Sequence, residues 1–119
     1  MRVRFRVAVY DKQGNRVNKE DLVLSSGSLY RGLRYVTEFK YLEATKWLML
    51  AEDCQEKYLL LGLLNISLGQ TYQGLEFLQE AMRHTKTTQY VFAVEKPEEG
   101  LRFFIEKPEA SLPDFLLSL

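Results

Sequence analysis

Residues 58–84, from Tyr58 to His84, read YLLLGLLNISLGQTYQGLEFLQEAMRH. Two apolar helical segments meet at the turn Gly69-Gln70. In the first, Leu61, Leu64 and Leu68 recur at the spacing of one helix face. Residues 59–64 are apolar nearly all round, which marks a helix enclosed on several sides. At about a dozen residues that segment is too short to span a bilayer. In the second, Leu75, Leu78 and Met82 share a face with Phe77 and Ala81 alongside, and Glu76, Gln79, Glu80 and Arg83 make the polar side. Gly62, Gly74 and Ala81 are small enough for a neighbouring backbone to come close. Gly69 stands where a helix ends on a left-handed residue, and Arg83-His84 suits the negative end of a helix dipole.

The spacing Tyr58, Leu61-Gly62, then Gly74, Leu78 and Ala81 resembles the tetratricopeptide repeat: an aromatic-x-x-Leu-Gly helix paired with a helix of small, large and Ala positions. The resemblance runs from Tyr58 to Lys86 and departs from the family at Asn65, where a large apolar residue is usual, and at Lys86, near a customary proline. It implies a module that holds another polypeptide in a groove lined by the first helix of each pair. On that basis Leu59, Leu63, Asn65 and Ile66 would face the partner. Residues 43–51 align with 73–81 at an offset of thirty, matching Ala44 to Gly74, Trp47 to Phe77, Leu48 to Leu78 and Ala51 to Ala81. The chain so read holds one and a half repeats, a core of three helices. Such arrays need about three units to stand alone, so another part of the chain must cover the ends.

The remaining sequence supplies that cover. Val3, Phe5, Val7 and Val9 alternate with polar or small residues as a half-buried strand does. Residues 11–15 make a turn, Arg16-Val17 return as a short strand, and Asn18 caps a brief helical turn. Residues 25–28 are a loop whose Ser28 is placed to cap the next helix. From Leu29 to about Asp53 the pattern is helical, with Leu29, Leu33, Val36, Phe39, Trp47, Leu50 and Ala51 on one broad face. After the central pair, residues 90–94 and 101–105 form a hairpin around a turn with Pro97 early and Gly100 late. Residues 113–119 read as a short helix with Phe115, Leu116 and Leu119 on its apolar side. The expectation is an α+β fold in one domain, residues 1–119. Its parts are a strand-and-turn region (1–27), a helical region (28–86), a β-hairpin (87–108) and a tail (109–119). The N-terminal strand pairs with the C-terminal hairpin in a small sheet lying against the helices.

Composition narrows the function classes. The 119 residues are 46% hydrophobic and 27% charged, as in an ordinary folded domain, and sixteen basic residues balance sixteen acidic ones. No overall field draws the chain to nucleic acid or an anionic membrane. No signal peptide is read at Met1-Arg2-Val3-Arg4, and one cysteine, Cys54, allows no internal disulfide. These features predict a cytoplasmic protein with no membrane partner. His84 has no catalytic companion nearby in sequence, and Cys54 sits among Glu52, Asp53 and Glu56, which disfavour a thiolate. No Cys/His spacing suits a metal, so neither enzyme activity nor a cofactor is expected. The expected function is a non-catalytic protein–protein interaction module, a small assembly subunit or chaperone, with a protein or peptide partner that includes a second copy of the chain. The alternative is a nucleic-acid-associated protein in which Arg2, Arg4 and Arg6, in a row on the first strand, contact phosphates. Zero net charge makes nucleic acid the less favoured partner.

Overall fold

The computed structural model describes residues 2–22, 26–85 and 89–119. Strand β1 (Arg6–Asp11) is followed by a one-turn helix α1 (Lys19–Leu22), then by four helices: α2 (Ser28–Thr37), α3 (Tyr41–Leu50), α4 (Gln55–Ser67) and α5 (Thr71–Ala81). Strands β2 (Tyr90–Lys96) and β3 (Leu101–Ile105), joined by a 3-10 turn at Pro97–Glu99, precede the terminal helix α6 (Leu112–Ser118). The fold is α+β. The sheet is antiparallel in the order β1-β2-β3, with Arg6 opposite Glu95, Glu95 opposite Arg102, and Ala93 between Ala8 and Phe104. No described helix is long and apolar enough to cross a membrane.

The four long helices form two antiparallel hairpins, α2–α3 and α4–α5, where the sequence predicted three helices. The expected single helix over residues 29–53 is broken at Phe39, which adopts a left-handed φ of 60°. The Phe39 N–H donates to Val36 O and the Lys40 N–H to Tyr35 O, at 3.0 and 2.9 Å, which is the Schellman ending. Thirty residues on, Gly69 (φ 89°) donates to Ile66 O and Gln70 to Asn65 O, at 3.0 and 2.8 Å. The same turn is therefore built twice, once on glycine and once on phenylalanine. Tight approach repeats with it. A Cβ added to Gly32 would fall 2.8 Å from Leu48 Cγ, and one added to Gly62 would fall 2.7 Å from Leu78 Cγ.

Helices α2 and α4 pack on the sheet, and α3 and α5 pack on them from the far side. Helix α4 is the centre: every residue from Leu59 to Ser67 is buried, as its all-round apolar sequence requires. Its N-terminus is capped by Cys54, whose sulfur accepts from the Lys57 N–H. The buried Lys57 ammonium donates to the carbonyls of Met49 and Ala51, at 3.3 and 2.7 Å, and so ties the end of the first hairpin to the start of the second.

Further expectations are corrected. Strand β1 begins at Arg6 rather than Val3, because Arg4 and Phe5 bond instead to Ser67 at the end of α4. Ser28 opens α2 without capping it; Gly27 occupies the cap position. Leu50 is 70% exposed and lies off the core face. The expected terminal helix is present as α6, with Leu112 and Leu116 buried and Phe115 edge-on to Phe103 at 5.0 Å. The Arg16-Val17 return holds as one bridge to Tyr10 and a bond from Val17 N–H to Val9 O. The expected Lys86 end of the repeat and part of the loop at residues 25–28 lie outside the described residues.

Candidate functional site

Leu59, Leu63, Asn65 and Ile66 were expected to face a partner, and the structure buries all four; Leu63 and Ile66 are 0% exposed. The face that α2 and α4 would offer to a groove is covered by the chain's own sheet, and Ile66 also abuts Gly74 of α5. Asn65 turns its side-chain amide back to Leu61 O at 2.8 Å, which satisfies a polar group inside the core. It reaches the edge of a cleft of about 300 Å³ between the hairpins, where Met49 and Phe77 also stand.

The free surface lies on the opposite side, on α3 and α5. Tyr72 is 77% exposed and Met82 47%, and both line a groove of about 710 Å³ between α5 and the segment leading into α6. Leu75 and Pro113 also line it, as do Glu76 and Arg83. Of the expected face Leu75, Leu78 and Met82, Leu78 is buried whereas Met82, the residue that ends α5, is 47% exposed. The offset of thirty reaches this surface once it is extended one residue back from 43 and 73. It matches Tyr72 to Leu42, and both are exposed because both sit one residue into a helix whose next small residue faces the core.

The arginine row is not assembled. Arg2 precedes the strand and is exposed, and Arg4 donates to Leu117 O at 2.9 Å. Arg6 lies over the Phe39 ring, 4.8 Å from its centroid. The structure instead gathers Arg6 with Arg16 and Arg102 on the outer face of the sheet, around Glu95. Glu95 is 6% exposed. It accepts from Arg102 Nε at 2.8 Å, from Arg16 at 3.3 Å and from the Tyr10 hydroxyl at 3.4 Å. Strand register explains this: cross-strand neighbours share a face, and Glu95 has Arg6 on one side and Arg102 on the other. Arg16 and Arg102 are far from Arg6 in sequence, so no local pattern marks the trio.

The titratable groups near α4 are built into the scaffold. Tyr58 donates to Asp53 at 2.7 Å and stacks on His84 at 5.0 Å. The hydrogen bond to Asp53 pushes the Tyr58 hydroxyl up to about 12 and holds the Asp53 carboxyl below its ordinary range. Burial raises Glu56 above its usual 4.5, against the pull of the Gln89 and Tyr90 N–H groups that donate to it. Among the described residues no three His, Cys, Asp or Glu side chains are grouped to hold a metal ion. No family model, curated protein or solved structure matches the chain.

Proposed function

We propose that the chain is a non-catalytic protein–protein interaction module, a small assembly subunit or chaperone-like holder, acting in the cytoplasm. Its docking surface is the outward side of α5, and the partner is a second copy of the chain. The observation that carries this reading is the exposed pair Tyr72 and Met82 at the rim of the α5 groove. Large apolar side chains grouped on a surface mark interfaces, and Tyr and Met are enriched there. The surface is also self-complementary. Glu76 and Arg83 lie along the same groove with opposite charge, so a twofold axis crossing α5 near Gln79 sets Glu76 of one copy against Arg83 of the other.

Kinship with tetratricopeptide repeats belongs to the same reading. It is supported by two helical hairpins that share a turn and a close contact at an offset of thirty, somewhat under the family period of about thirty-four. The chain's own sheet then takes the place of a groove ligand, which leaves the second helix of the pair for the partner.

Light scattering at micromolar concentration tests the proposal. The wild type is expected to have the mass of a dimer, and the variant Tyr72→Glu/Met82→Glu that of a folded monomer. A wild type that stays monomeric overturns self-association through this surface.

A further inference from the structure

We infer that Arg6, Arg16 and Arg102 form, around Glu95, a binding pocket for the phosphate group of a small phosphate monoester. The cavity is about 550 Å³ and opens on the outer face of the sheet. Three guanidinium groups against one carboxylate leave two positive charges, the complement of a phosphate monoester dianion. Among the described residues Glu95 is the one acid lining the cavity, and it is buried, so it fixes the arginines rather than competing at the mouth. It holds Arg102 through Nε, which leaves the terminal nitrogens of that fork to present to a ligand. Among the described residues the Arg6 guanidinium has no hydrogen-bond acceptor, so its side-chain donors are unspent beside the Phe39 ring.

Phe39 supplies a second, independent observation. It occupies a left-handed position that the second hairpin gives to Gly69. Its ring meets Tyr41 on one side, centroids 6.4 Å apart, while the rest of it is exposed on the side where Arg6 lies. Strained backbone is retained where the surrounding structure uses it, and the use visible here is to hold the Arg6 guanidinium beside the cavity. Bidentate arginine forks suit tetrahedral oxyanions. Nucleic acid fits the site poorly: the arginines close on one cavity instead of tracking along a backbone, and the chain carries no net charge.

NMR titration of the arginine Nε–Hε signals in the full chain tests this, using inorganic phosphate and glycerol 3-phosphate against chloride at matched ionic strength. Dimethyl phosphate, a phosphoserine peptide and vesicles containing phosphatidic acid serve as comparison probes. Expected are saturable shifts of Arg6, Arg16 and Arg102 at millimolar glycerol 3-phosphate. Dimethyl phosphate should bind roughly tenfold more weakly, since it carries one charge fewer. Arg6→Gln should weaken glycerol 3-phosphate by a similar factor. Phe39→Gly, which suits the left-handed turn and keeps Arg6, should weaken it several-fold without lowering the unfolding midpoint. The inference is overturned if no saturation occurs, if Arg6→Gln and Phe39→Gly both bind as the wild type does, or if the peptide or the vesicles bind more tightly than glycerol 3-phosphate.

Discussion

The hairpins α2–α3 and α4–α5 have one backbone plan and two chemistries. Each first helix ends in the same Schellman turn, followed by a residue of nearly equal conformation: Lys40 at φ −100°, ψ 71° and Gln70 at φ −91°, ψ 68°. Each places a glycine of the first helix against a leucine of the second. The contents differ because the positions differ. Helix α4 lies between the sheet, α3 and α5, so Leu61 and Leu64 stand where α2 carries Arg31 and Arg34. Helix α2 is half solvated, and Arg31 lies over Trp47 of its own hairpin at 4.4 Å. A hairpin plan is set by a few small residues and a turn, whereas the composition of each helix follows from how many neighbours enclose it.

The largest test of that comparison is at the small-residue contact. A Cβ on Gly74 would lie 3.0 Å from both Gly62 O and Ile66 N, which are backbone atoms that cannot swing aside. Gly74→Ala should lose about 3 kcal/mol to overpacking and regain about 1 kcal/mol of helix propensity. The net loss of about 2 kcal/mol follows from those two terms and is measurable by urea denaturation. The counterpart in the first hairpin is already Ala44, so Ala44→Gly should cost only about 1 kcal/mol. A neutral Gly74→Ala would mean that the second hairpin admits a Cβ there as the first does at Ala44.

The next effect is at the turns. Nothing lies within 4 Å of a Cβ added to Gly69, so Gly69→Ala tests backbone strain alone. It should destabilise by about 1 kcal/mol, a cost the first hairpin already bears at Phe39. A neutral Gly69→Ala in thermal melts would remove the strain at Phe39 as a feature needing a use.

The smallest effect concerns pH. Glu56 is buried in the second hairpin, where the first has Ser26. Its folded pKa is raised by burial, so the native state holds that proton more tightly than the unfolded chain does. The stability this lends is complete below the ordinary 4.5 and is lost as pH rises through the folded value. Glu56→Gln keeps an acceptor for Gln89 and Tyr90 and should flatten that decline. A pH profile unchanged by the substitution would place Glu56 in contact with solvent.

What was legible in the sequence was whatever short-range pattern encodes. The α4–α5 hairpin showed in its apolar spacing and in Gly69, the β2–β3 hairpin in Pro97 and Gly100, and the central place of α4 in its leucines. The break in the first hairpin did not show, because Phe39 takes a left-handed turn that residue preference assigns to glycine. The candidate site was hidden for a related reason. Leu59, Leu63 and Ile66 are apolar whether they meet a partner or the chain's own sheet, so composition cannot say which covers them. Likewise Arg6, Arg16, Glu95 and Arg102 become neighbours only through strand register.

The sequence by itself determined the α+β class, the sheet-forming segments and the close contact of α4 with α5, since periodicity and small-residue spacing act within a few turns of chain. Only the tertiary structure decided that the first hairpin is complete, with a first helix and turn like those of the second, that the sheet fills the side where a groove was expected, and that three distant arginines gather around one buried carboxylate. Each of those depends on long-range packing, in which residues far apart in sequence set one another's environment.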